Sequence, residues 1–212
     1  MIARACRAAL AATFLCSLGS PASASTPGLE RVYAAGRCLV RQDRRAAIDL
    51  VLALPIGRER ASISALAPSL GRCGAGLESV PAMHLRGAIA QALFFRDFRG
   101  FGLQPSRSIA LVNLDLPIQD SPPGDPTTEL YRLADCVVRN DGPRTESLLA
   151  TRPGSENESR IMDRLAPYLR ACTTADSQLS IARSDLRSAM AQSAYHSMYR
   201  YWTRQLSSTR NQ

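Results

Sequence analysis

The sequence predicts an all-α protein, a tandem duplication of a disulfide-stapled helical unit of about four helices, with an extended Pro/Gly-rich linker between the units. Three observations lead there. Apolar residues recur at helical spacing, the two halves align with each other, and each half holds a pair of cysteines at nearly the same separation. The 212 residues are 45% hydrophobic and 21% charged, which suffices for a buried core and is too apolar for a disordered chain. No apolar run reaches the roughly 18 residues of a membrane-spanning helix.

The alignment is residue by residue. Tyr33, Cys38, Val40, Arg41 and Asp43 match Tyr131, Cys136, Val138, Arg139 and Asp141 at an offset of 98. Leu66, Ala67, Pro68, Leu70 and Cys73 match Leu165, Ala166, Pro167, Leu169 and Cys172 at 99. Leu85, Arg86, Ala88, Ala90 and Gln91 match Leu186, Arg187, Ala189, Ala191 and Gln192 at 101, and the register continues from Phe94, Phe98 and Arg99 to Tyr195, Tyr199 and Arg200. An offset that drifts this slowly means short insertions in loops.

Taken in chain order, residues 1–24 read as an export signal: Arg4 and Arg7, the apolar stretch from Ala8 to Leu18, then Ala22, Ser23 and Ala24 as an A-x-A cleavage site. Cleavage is expected after Ala24, which places the protein in the periplasm or outside the cell. A lipoprotein acylated at Cys16 is disfavoured by bulky Leu15, where a small residue is needed. Removing the signal leaves 24 arginines against 18 acids, about +6, and four cysteines. Lysine is absent, so the arginine excess reflects a GC-rich coding bias as readily as a binding chemistry.

The first unit is expected over 25–99 and the second over 127–212. Their first helices bury Val32, Ala35, Gly36, Leu39 and Val40 in one and Leu130, Leu133, Ala134, Val137 and Val138 in the other. Thr26-Pro27 and Asp125-Pro126 mark the starts, with Glu30 and Glu129 in the first turns. Second helices begin at Asp43 and Asp141, end before Pro55 and Pro153, and bury Leu50, Val51, Leu148 and Leu149. Third helices follow Gly57 and Ser155, and Pro68 and Pro167 should end or kink them. Fourth helices run from about Leu85 to Phe98 and from about Asp185 to Gln205. Between the units, 100–126 is rich in proline and glycine. Its apolar stretch from Ser108 to Ile118 is expected to cross both units as an extended strap, with a short strand allowed.

In an oxidising compartment four cysteines read as two disulfides. Each unit owns two, so the simplest pairing is Cys38 with Cys73 and Cys136 with Cys172, pinning the first helix to the end of the third. Other pairings stay open. The spacing is unlike the paired CxxC elements of a zinc site, and neither a metal nor a cofactor is expected.

Chemistry is sparse. His84 and His196 occupy non-equivalent positions, and His196 reads as a histidine at the edge of a packed helix face before it reads as a base. No nucleophile elbow, HExxH, phosphate loop or dinucleotide fingerprint is present, and the glycines from Gly71 to Gly76 read as a loop. The carboxylates kept in both halves, Asp43 with Asp141 and Glu30 with Glu129, sit where caps belong; a pair brought together would make a small hydrolase. The last helix is the most suggestive element. Tyr195, Met198, Tyr199 and Trp202 form one stripe, read as core, while Arg200, Tyr201 and Arg204 face outward as the candidate binding surface. Its partner would be a protein, a glycan or an anionic envelope component, and nucleic acid is disfavoured for an exported chain.

The signal segment, the paired C-x-V/L-V-R and L-A-P-x-L-x-x-C elements and the closing L-R-x-A-I/M-A-Q resemble exported helical proteins of GC-rich proteobacteria such as sphingomonads. That resemblance covers about 170 residues. It implies an envelope location and a helical fold, and no activity, cofactor or catalytic residue. The expectation is therefore a non-enzymatic binding or interaction module of the envelope. A small periplasmic hydrolase using carboxylates or His196, and a structural or protective role, are the alternatives.

Overall fold

A computed structural model describes residues 28–53, 59–74, 76–103, 125–173 and 181–210. The expected export signal, Thr26-Pro27 and the 108–118 strap lie outside the described residues. Within them the chain is all-helical: α1 Leu29–Gln42, α2 Arg44–Leu52, α3 Glu59–Cys73, α4 Ala82–Asp97, α5 Pro126–Asn140, α6 Gly142–Ala150, α7 Glu156–Cys172 and α8 Arg183–Arg210, with a 3-10 turn at Leu77–Ser79.

Local chemistry sets the boundaries. Asp43 alone separates α1 from α2, and its carboxylate accepts the Ala46 N–H at 3.0 Å. Asp141 separates α5 from α6 in the same way, accepting from Arg144 N at 3.1 Å. A single residue whose side chain satisfies an orphan donor of the next helix turns the chain without a loop. Asp125 caps α5 through Thr128 N at 2.8 Å, with Pro126 in the first position, and Ser155 caps α7 through Glu158 N at 3.2 Å. Pro68 and Pro167 do not terminate their helices. Each lies inside, in α3 and α7, and the helix runs on to a cysteine. Proline removes one N–H donor but leaves the later turns free to form, and the continuation is held by Cys38–Cys73 and Cys136–Cys172, which tie α1 to α3 and α5 to α7. Gly71 to Cys73 accordingly belong to α3, and only from Gly74 does the chain leave the helix.

The core is organised around α4 and α8, which pack on each other along their buried lengths. Every residue from Leu85 to Gln91 and from Leu186 to Tyr195 is buried, the pattern of helices covered on all sides rather than amphipathic ones. α1 and α2 cover α4, with α3 packed on α1 and α2; α5 and α6 cover α8, with α7 packed on α5 and α6. They approach closely at Gly87, where a Cβ would stand 2.5 Å from Ser188 Cβ and 2.6 Å from Ser188 Cα, so only glycine lets the helices meet there. Gly36 does the same for α1 against α4, where a Cβ would lie 2.6 Å from the Ala88 carbonyl carbon.

Candidate functional site

Two arginines are buried in the centre. Arg86 donates from Nη2 to Val51 O at 3.1 Å and Ala53 O at 2.6 Å, at the C-terminus of α2. Arg187, its aligned counterpart, is 0% exposed and reaches the C-terminus of α6. It donates to Leu148 O at 3.0 Å, Leu149 O at 3.1 Å, and Thr151 O and Oγ1 at 2.9 and 3.0 Å. Two further acceptors join them, Glu158 Oε1 at 2.9 Å and Gln91 Oε1 at 2.9 Å, and the Tyr33 ring lies 5.0 Å from the guanidinium carbon. A rigid fork of donors aimed at the carbonyl-rich end of a helix satisfies acceptors that packing has removed from water. These arginines hold the short second helices in place.

His196 serves the same end. Its Nε2 donates to Val51 O at 2.8 Å, so the ring is the neutral Nε2–H tautomer. Burial pushes the imidazole down to about 4, with the positive charges of Arg86 and Arg200 acting in the same direction. A ring that spends its Nε2 proton on a helix-end carbonyl is a positioning group, in line with the edge-of-core reading. His84 meets Asp185 across the α4–α8 contact at 2.7 Å. The carboxylates kept in both halves are each engaged: Asp43 and Asp141 as caps, Glu129 with Arg132 at 2.7 Å within α5, and Glu30 of α1 with Arg152, 122 residues away, at 2.6 Å. Among the described residues no group of three or more His, Cys, Asp or Glu is placed to hold a metal.

The end of the molecule where α4 stops and α8 continues has a different character. Asp97 accepts from Arg44 at 2.9 Å and from the Tyr195 hydroxyl at 3.3 Å; burial first, then this carboxylate, pushes the Tyr195 phenol up. Phe98 packs on Tyr195, whose ring neighbours Tyr199, and Phe101 meets Trp202 edge-on at 4.8 Å. Tyr195 and Met198 are fully buried, while Tyr199 and Trp202 pack against the core from its edge. The stripe is thus core for two turns and then emerges.

Of the three outward-facing candidates, only Arg204 is fully exposed. Arg200 is half-buried and bears on Asp135, whose carboxyl burial pushes up against the opposing pull of Arg139 and Arg200. Tyr201 is half-buried, with its ring edge-on to Trp202 at 5.5 Å. Sequence reasoning missed the buried arginines. The signal available was an arginine at matched positions inside two otherwise apolar runs. Leu103 was likewise hidden in the linker; it is buried against Gly142, where a Cβ would stand 2.7 Å from Leu103 Cβ. No family model, curated protein or solved structure matches the chain.

Proposed function

We propose that the protein is an exported, non-enzymatic interaction module of the cell envelope, made of two duplicated helical units, whose contact surface is the end of α8 with the turn after α4. The observation that carries this reading is the aromatic and basic surface there: Phe101, Tyr201, Trp202 and Arg204 lie beyond the point where the core closes. The duplication is supported by the sequence alignment, by two disulfides closing loops of 35 and 36 residues, and by arginines at matched positions serving the ends of α2 and α6. An oxidising compartment suits those disulfides, and among the described residues no helix is long and apolar enough to cross a membrane.

The test is site-specific photo-cross-linking in intact cells. A photoreactive residue replaces Arg204, and a control replaces exposed Arg164 on α7. Adducts to protein or lipid from position 204 and none from 164 are expected. Equal labelling from both positions, or none from 204, would remove α8 as the contact surface.

A further inference from the structure

The chemistry of this surface narrows its partner, and the inference rests on the interaction surface proposed above. Asp97 draws together the C-terminus of α4 and the N-terminus of α2, and Arg96 donates to Val40 O at the end of α1 at 3.3 Å. Around this junction Arg41, Arg44, Arg45, Arg96 and Arg99 are all exposed. Four acids lie among them: Asp97 is paired with Arg44 and Tyr195, Asp43 caps α2, Asp49 is exposed one turn from Arg45, and the Glu146 carboxylate faces Gly102 beside Phe101. Arg204 lies beyond on α8, and no Asp or Glu lies between Asp185 and Gln212. With six arginines against four carboxylates the face is net positive.

It is also the one that keeps apolar groups in water. Among the described residues the exposed large hydrophobics are Phe101 at 53% and Leu206 at 64%. Both sit here, Phe101 against Trp202 and Leu206 one helical turn further along α8. An acidic soluble protein or polysaccharide would answer the arginines and leave Phe101 and Leu206 uncovered. A lipid surface answers both, because arginines reach anionic headgroups while aromatic and aliphatic side chains enter the interface beneath them. We propose that this end of the protein docks peripherally on an anionic phospholipid membrane, through Arg45, Arg99 and Arg204 to headgroups and Phe101 and Leu206 to the acyl boundary.

Vesicle co-sedimentation tests it, using the purified chain with its amino terminus defined by mass spectrometry. Vesicles of phosphatidylcholine with phosphatidylglycerol should bind, and those of phosphatidylcholine alone should not. Raising salt to about 1 M, where charges are screened within about 3 Å, should release the protein. Trp202 is the sole tryptophan, so its emission should shift to shorter wavelength on binding. The triple variant R45Q/R99Q/R204Q should bind about a hundredfold more weakly, since each cation near an anionic surface contributes roughly a factor of five. F101S should bind more weakly while keeping its dependence on phosphatidylglycerol. Equal binding to both vesicle types, or an unaltered triple variant, overturns the assignment. If neither vesicle binds but position 204 still cross-links to a protein, the lipid is wrong and the surface stands; if position 204 also yields nothing, both readings fall.

Discussion

Replacing Arg187 with methionine should cost a large part of the protein's stability. The aliphatic stem is kept approximately, so the loss is that of the guanidinium. Without it the Glu158 carboxylate, whose side chain is 8% exposed, loses its ion partner, and the carbonyls of Leu149 and Thr151 lose a donor where water does not reach, while Leu148 O keeps the Thr151 N–H and hydroxyl. Breaking a buried ion pair from one side costs about 3–5 kcal/mol, and each stranded buried acceptor adds about 1 kcal/mol or more. Against a total stability of about 5–15 kcal/mol, R187M should be marginally folded. R86M should also destabilise, by about 1 kcal/mol or more, because Ala53 O loses a buried donor while Val51 O keeps the His196 Nε2–H. Urea unfolding with the disulfides intact reads both values from midpoint and slope. E158Q/R187M should recover part of the loss, because the stranded charge is gone, while the glutamine oxygen can still accept the Gly154 N–H that Glu158 takes. R187M within about 1 kcal/mol of the parent would refute the claim that Arg187 holds the end of α6 in place.

Gly87→Ala should destabilise by about 1–3 kcal/mol or more, because its Cβ would fall 2.5 Å from Ser188 Cβ and the two central helices would have to separate. A calorimetric melting temperature unchanged in G87A would show that α4 and α8 can part at this point without loss. Stability should also fall with acid through His196. The folded ring titrates near 4 and the unfolded one near 6.5, so the unfolded state alone takes up the proton as pH drops from about 6.5 to 4. The group's contribution is full above that window, about 3 kcal/mol is lost across it, and nothing further is lost below it. H196N, whose amide can still donate to Val51 O, should lose correspondingly less between pH 7 and 4.5 in urea titrations. An identical pH profile for the two proteins would refute the buried, neutral assignment.

Much of the architecture is written locally, which is why it can be read. Asp43 and Asp141 announce helix starts because a short carboxylate satisfies an orphan N–H three residues on, and the cysteines sit where α1 faces α3 and α5 faces α7. Termination at proline did not follow, because its steric effect acts on the preceding turn, while a disulfide holds the turns after Pro68 and Pro167. The role of Arg187 was illegible for another reason. Its partners lie 29 to 39 residues away around α6 and 96 away at Gln91, and no spacing rule connects a buried guanidinium to a distant helix end. Arg200 illustrates the converse, since helical geometry turned it away from the aromatic stripe but could not show that Asp135 of α5 waits on that side.

On the proposed duplication, the features common to both units and those found in one alone bear differently on function. Shared features are the first-to-third helix disulfide, the one-residue aspartate break and the arginine at the end of the second helix, all of which stabilise. The differences lie elsewhere. α4 ends at Asp97, whereas α8 continues to Arg210, so only the second unit carries a helical extension past the core. Phe101, in the linker after the first unit, meets that extension edge-on, and Leu103 beside it fits over Gly142 of the second unit, so the distinctive surface joins the linker to the second unit. A binding role inherited from an ancestral single unit would appear twice. The aromatic and basic end appears once, where the symmetry is broken, and that is the part of the molecule whose chemistry the shared scaffold leaves unexplained.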